Sequence, residues 1–269
     1  MSAHAEGPGG QSGQSSQPGQ SGVGPDPRVA RDDGDELLRI ATWNIHDATG
    51  PDGRRDLSRI AGVIAQIGAP LVALQEITCT SDGDVVCDAA ALAQASGFAW
   101  RSVPTRGHAV LRHGNALLSA HPLGTPRMHD LSVPGREARA ALEVDVDWRG
   151  RRVRVVVTHL GLRAGERRRQ VERLLRAVGD EAADATILLG DLNEWFLWGR
   201  PLRWLHRRFG ASPAPRTFPT RFPIFALDRV WVHPRSALVS LAVIDTPDAR
   251  RASDHLPVVA TIRLPVSPA

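Results

Sequence analysis

Short apolar runs of strand length recur along this chain, and several of them end in a polar residue able to do chemistry. Ile40-Ala41-Thr42-Trp43 runs into Asn44, and Leu71-Val72-Ala73-Leu74 delivers Gln75 and Glu76. Val155-Val156-Val157-Thr158 ends in His159. Thr186-Ile187-Leu188-Leu189 is followed by Gly190, Asp191 and Asn193. Asp228 opens a further run, and Asp254-His255 stands just before the last one. Runs of this length, rich in β-branched residues and bounded by turn formers, read as buried strands. Between them Leu57, Ile60, Ile64 and Ile67, and later Val171, Leu174, Leu175 and Val178, fall at helical spacing. Strands alternating with amphipathic helices predict an α/β fold with helices packed on sheets.

Each of these polar residues has a plain structural role when taken singly. Asn44 suits a turn, Glu76 a helix cap, His159 a satisfied core position, Asp228 a surface ion pair and Asp254 an N-cap. Their recurrence at strand ends is what singles them out. Strand ends converge on one rim of a sheet, and binding sites collect there. The set is also chemically coherent. Glu76, with Asn44 beside it, offers the hard oxygen donors that Mg²⁺ or Mn²⁺ prefers. Asp228 and His255 form an orienting pair, Asp191 is placed to activate water, and Asn193 and His159 are suited to holding phosphoryl oxygens. That is the equipment of metal-assisted phosphoester hydrolysis.

The ordered series WNI (43–45), QE (75–76), GNALLS (114–119), THL (158–160), GDLN (190–193), LDRV (227–230) and SDHLPV (253–258) resembles the endonuclease/exonuclease/phosphatase superfamily across residues 38–264. The resemblance implies a four-layer α/β sandwich, with two packed, mainly antiparallel β-sheets flanked by helices. It also implies divalent-metal-dependent hydrolysis of a phosphodiester or phosphomonoester. Carried over position by position, it makes Glu76 the principal metal ligand, with Asn44 adjacent and Asp254 near a second metal or bridging water. Asp191 and Asn193 position water and phosphate, Asp228 orients His255, and His159 stabilises transition-state charge. Asn115 and Arg139 fall at substrate-side positions. Apurinic endonucleases of the superfamily usually carry a Tyr at the Thr158-His159 position. This chain has no Tyr, so the sphingomyelinase, phosphatase and deoxyribonuclease branches are the better comparison.

After GDLN comes Glu194–Gly210, in which Trp195, Phe196, Trp198, Trp204 and Phe209 interleave with Arg200, Arg203, Arg207 and Arg208. Such a stretch suits stacked bases along a phosphate backbone, an anionic membrane surface, or simple core packing with a solvated Arg face. Trp195 is the candidate substrate contact within it. The partners expected are therefore a phospholipid, a small phosphodiester or a nucleic acid, taken up by a monomer. Arg163, Arg167, Arg168 and Arg169 read as a solvated helix face.

All 33 basic residues are arginine and the net charge is +4, so the chain suits an anionic partner without selecting one. Residues 1–36 are rich in Gly, Ser, Gln and Pro and read as a disordered tail before a catalytic domain at 37–265. No apolar run reaches the ~20 residues of a membrane span, and no charged-then-apolar leader is legible, which makes the cytoplasm the expected location. In that setting Cys79 and Cys87 are expected as two free thiols.

Overall fold

The computed structural model describes residues 37–80, 87–104, 111–178 and 183–264, so the tail assigned to 1–36 lies outside the described residues. Six strands form one sheet: β1 (Leu37–Asn44), β2 (Leu71–Thr80), β3 (Ala99–Pro104), β4 (Leu111–Ser119), β10 (Leu238–Val243) and β11 (Val258–Arg263), in the order β10-β11-β1-β2-β4-β3. Five form the other: β5 (Arg127–Asp130), β6 (Ala140–Trp148), β7 (Arg151–His159), β8 (Ala185–Asp191) and β9 (Asp228–His233), in chain order. Each sheet holds a single parallel pair, β1 with β2 and β7 with β8; the other pairings are antiparallel.

Side-chain alternation along the strands sorts the core into three slabs. Ile40 of β1, Leu142 and Val144 of β6, Val155 and Val157 of β7, Ile187 and Leu189 of β8 and Val230 and Val232 of β9 meet between the sheets. The alternate residues of the first sheet, among them Ala41, Trp43, Val72 and Leu74, pack under α1 (Leu57–Ile67), α2 (Asp88–Ser96) and α5 (Pro247–Ala252). On the second sheet Val156, Leu188 and Trp231 pack under α3 (Ala164–Ala177) and α4 (Arg200–Phe209). The result is helix, sheet, sheet, helix: the expected four-layer sandwich.

Local signals explain the helix ends. Asp56 caps α1 by accepting from the backbone N–H groups of Ser58 and Arg59, and Gly68 closes it in the left-handed region at φ 59°. Asp88 does not cap α2; Cys87 holds that position, and Asp88 in the first turn bonds Arg55 at 2.5 Å. Cys87 is also disulfide-bonded and there is no free cysteine among the described residues, which overturns the expectation of two free thiols.

The same alternation positions the site. Continuing the inter-sheet rows by one inward position reaches His159 on β7 and Asp191 on β8, and by two, past Thr42, reaches Asn44 on β1. β4 contributes Asn115 two residues before inward-facing Leu117. The antiparallel partners supply their residues from their amino ends: Asp228 opens β9, and Asp254-His255 lies just before β11. Glu76 breaks the pattern. Alternation alone would turn it toward the helices with Leu74, but β2 carries a bulge between Gln75 and Ile77, with Glu76 at φ 54°. A bulge re-aims one side chain without disturbing those around it. Glu76 thereby reaches Asn44, while β2 runs on to Thr80 rather than ending there.

Candidate active site

Gly190 makes the central turn of the site. Its φ is 140°, and a Cβ on it would stand 1.9 Å from the Thr158 carbonyl oxygen of the neighbouring strand. β7 and β8 therefore stay in close parallel register, with His159 beside Asp191. Asn193 follows at φ 48°, a left-handed conformation Asn tolerates, and its backbone N–H donates to Asp191 Oδ1 at 2.8 Å. GDLN is thus both a turn and a wall of the site, because the turn aims the carboxylate.

Asn44 links the two sheets. Its Nδ2 donates to Glu76 Oε1 at 2.8 Å and to Asp191 Oδ2 at 3.0 Å, while its Oδ1 accepts from the His46 N–H at 3.0 Å. Asp191 is 1% exposed. Burial raises its proton affinity above the usual carboxylate range and Asp228 adds to that, opposed by His255 and by the bonds from Asn193 and Asn44. His255 Nδ1 meets Asp228 Oδ2 at 2.8 Å, and its Nε2 lies 3.8 Å from Asp191 Oδ2. Burial opposes charging of that ring, but Asp228 and Asp191 outweigh it and hold its pKa well above the ordinary histidine value. The ring therefore carries a proton on Nε2 facing the cleft.

His159 sits in the opposite electrostatic setting. Its Nε2 lies 3.5 Å from Asp191 Oδ2 and 3.8 Å from Glu76 Oε1. Its two ring nitrogens face N–H donors, Arg139 at 3.4 Å and Asn193 at 3.0 Å. Burial, then Arg139, His255 and His113, push its pKa well below the ordinary value, so this imidazole is neutral. One protonated and one neutral histidine thus face one buried carboxylate.

Arg139 is buried and its Nε has no hydrogen-bond partner among the described residues, although Glu137 takes its terminal nitrogens at 3.2 and 2.9 Å. Asn115 donates to the Ala140 carbonyl at 2.8 Å, next to Arg139, and its buried Oδ1 is likewise unpartnered. Trp195 is 38% exposed and packs edge-on against Phe218 and Phe225. It reaches the site through Phe218, whose ring centroid is 4.7 Å from that of His255.

Asp254 adds to the raised proton affinity of His255. The Asp254 side chain is about one-third exposed and lies 3.8 Å from His46 Nδ1. Among the described residues no group of three or more His, Cys, Asp or Glu is arranged to hold a metal. The donor set fits a cation of a particular kind. Glu76 is a partly exposed carboxylate turned into the cleft by a bulge, beside an amide. Mg²⁺ binds through one or two such oxygens and keeps waters for the rest, whereas a cage of nitrogen or sulfur ligands is absent among these residues.

Several supporting residues have roles that their place in the sequence does not disclose. Thr217 donates to Asp228 Oδ2 at 2.5 Å, Ser253 Oγ to the Asn44 carbonyl at 2.7 Å, and Trp43 Nε1 to the His255 carbonyl at 2.9 Å. Arg167 corrects the solvated-face reading of its helix: it is 2% exposed, pairs with buried Glu194 at 3.0 Å, and donates to the Gly161 and Leu162 carbonyls. Arg163 and Arg169 are exposed as expected.

The model of the endonuclease/exonuclease/phosphatase family matches residues 41–255. The chain belongs to this family. It is 30% identical over 254 residues to the uncharacterized protein YbhP of Escherichia coli, covering 84% of this chain and 96% of that protein. Among solved structures, an endonuclease/exonuclease/phosphatase from Beutenbergia cavernae superposes with a TM-score of 0.71 at 27% identity, over 87% of this chain and 73% of that one. Danio rerio TDP2 complexed with single strand DNA product shares the fold at 17% identity, with a TM-score of 0.60 over 84% of this chain and 99% of that one. The chain thus has the fold of a family whose members hydrolyse phosphoesters, and no helix among its described residues is long and apolar enough to cross a membrane.

Proposed function

We propose that this protein is a divalent-metal-dependent phosphodiesterase acting on a lipid or small phosphodiester. The observation that carries the reading is the placement of protonated His255, neutral His159 and buried Asp191 around one cleft, with Glu76 turned into it by the β2 bulge. Glu76 would hold the ion, Mg²⁺ or Mn²⁺, with Asn44 fixing its carboxylate and Asp254 on the outer side. When bound, the ion supplies positive charge to a phosphoryl oxygen.

The remaining chemistry belongs to the side chains. Asp191, with raised proton affinity, is suited to take a proton from an attacking water. Asn193 holds Asp191 in place through its backbone. His255, kept charged by Asp228, donates Nε2–H to a phosphoryl oxygen. Arg139 offers its free Nε to the same charge, and His159 lines the pocket without adding a second cation beside His255. Preorganised donors of this sort each contribute about 3–4 kcal/mol to transition-state stabilisation.

Hydrolysis of bis-(4-nitrophenyl) phosphate with Mg²⁺, Mn²⁺ or EDTA tests the reading, using Glu76→Ala and His255→Ala as comparisons. Both substitutions are expected to lower kcat by about 10²-fold or more. Unchanged hydrolysis in both would overturn the proposal. The second reading is a nuclease, supported by the exposed aromatic and Arg side chains beside the site; plasmid nicking with steep salt dependence would favour it. The disulfide at Cys87 is a feature of oxidising compartments and weighs against the cytoplasmic expectation.

A further inference from the structure

Three loops rise around the mouth of the site, and their tips are apolar and exposed. Leu162 follows β7; Phe196, Leu197 and Trp198 follow β8; Phe222 and Ile224 precede β9. Trp198 is 72% exposed and Phe222 67%, well beyond a side chain that merely packs on the core. The loops are held at their bases rather than at their tips. Glu194 pairs with Arg167, which also grips the Gly161 and Leu162 carbonyls. Trp195 wedges against Phe218 and Phe225. This scaffold fixes an exposed apolar crown within one aromatic ring of His255.

Within the longest stretch that carries the crown the charge has one sign. From Trp195 to Leu227 the sequence contains Arg200, Arg203, Arg207, Arg208, Arg216 and Arg221 and no acidic residue. The acids nearest in sequence, Glu166, Glu194 and Asp228, are buried, while Asp254, whose carbonyl accepts from the Thr220 N–H, is about one-third exposed. Exposed apolar tips in an arginine-rich stretch suit the headgroup boundary of an anionic bilayer. A single-stranded nucleic acid would draw on aromatic faces. Half of this crown is aliphatic (Leu162, Leu197 and Ile224), which offers a base nothing to stack on but inserts readily among acyl chains.

We propose that the crown is a membrane-docking face that seats the protein on an anionic phospholipid surface and brings the phosphodiester of a lipid headgroup to the site. The headgroup step rests on the phosphodiesterase reading above; docking itself does not.

The test is co-sedimentation of the full chain with phosphatidylcholine vesicles, with and without phosphatidylglycerol. The Trp198→Ala/Phe222→Ala double variant is run alongside, and every protein is assayed on bis-(4-nitrophenyl) phosphate. Wild type is expected to bind the anionic vesicles at least tenfold better than the neutral ones, and the variant at least tenfold less than wild type. The variant should keep its melting temperature and its hydrolysis of the soluble diester. Failure of wild type to bind anionic vesicles, equal binding by the folded variant, or retention on single-stranded DNA in place of vesicles would each overturn the docking proposal. Loss of soluble-diester hydrolysis in wild type would strike the catalytic reading instead.

Discussion

Replacing Gly190 by alanine should damage stability and catalysis together. The added Cβ would lie 1.9 Å from the Thr158 carbonyl oxygen, 2.9 Å from its carbon and 3.1 Å from its nitrogen. All three are backbone atoms of an adjacent buried strand, so no side chain can swing aside. Non-bonded heavy atoms settle at about 3.5 Å, so β7 and β8 would have to part locally by about 1.5 Å. The φ of 140° adds strain for any residue with a Cβ. Backbone strain of about 1–3 kcal/mol and overpacking of about 1–3 kcal/mol give a loss of about 3–5 kcal/mol. For a domain of this size that lowers Tm by about 10 °C. The displaced residues precede His159 and Asp191, and a 1 Å misplacement of reacting groups costs about 10²-fold in rate. Calorimetric melting and hydrolysis of bis-(4-nitrophenyl) phosphate read the two effects. Gly62→Ala is the control: it lies within α1 with nothing within 4 Å of the new Cβ, and is expected to stabilise by up to about 1 kcal/mol. If Gly190→Ala melted with wild type and kept its activity, the close-approach argument would be wrong.

Three further outcomes are expected. Asp228→Asn removes the carboxylate that holds His255 at 2.8 Å and should lower kcat by about 10²–10⁴-fold with little change in KM; a kcat close to wild type would contradict the orienting role. EDTA should abolish hydrolysis and Mg²⁺ restore it in wild type, whereas Glu76→Ala should stay inactive at the same Mg²⁺ concentration; full activity in EDTA would remove the metal from the reading. Glu143 is 3% exposed, and although burial favours its neutral form, His129 and Arg127 hold its pKa down to about 2, from 4.5. A depressed carboxylate pKa stabilises the fold above the unfolded value and loses that contribution as pH falls through the folded one. Glu143→Gln should therefore cost about 3 kcal/mol at pH 7, with the gap to wild type narrowing between pH 4.5 and 2 in urea titrations; a gap independent of pH would refute the assignment.

The legible part of this molecule is the part written in short periods. The apolar runs at 71–74 and 186–189 and the helical spacing of Leu57, Ile60, Ile64 and Ile67 all appear where their residues put them. Individual strand-end residues were legible too, because each adjoins a run with a clear period. What could not be read depends on partners distant in the chain. Arg167 looked like one more charge on an Arg-rich helix; its burial follows from Glu194, 27 positions on. Thr217 lies in a proline-rich loop, and its role comes from Asp228. The Cys87 cross-link was misjudged because compartment, not spacing, decides whether thiols pair.

Glu76 shows how the two kinds of information meet. Period-2 alternation would send it to the helix face of the first sheet with Leu74, away from His159 and Asp191. Only the bulge opposite Gly114 and Asn115 of β4 turns it inward, to within 2.8 Å of Asn44 Nδ2. The other inward residues need no such device. Asn44, His159 and Asp191 continue inward rows from the carboxyl ends of β1, β7 and β8, and Asp228 begins one at the amino end of antiparallel β9. A site assembled from alternation alone would hold Asp191, Asp228 and two histidines but lack the partly exposed carboxylate that suits a divalent cation. The bulge, with Glu76 held at φ 54°, is the local backbone cost that completes it.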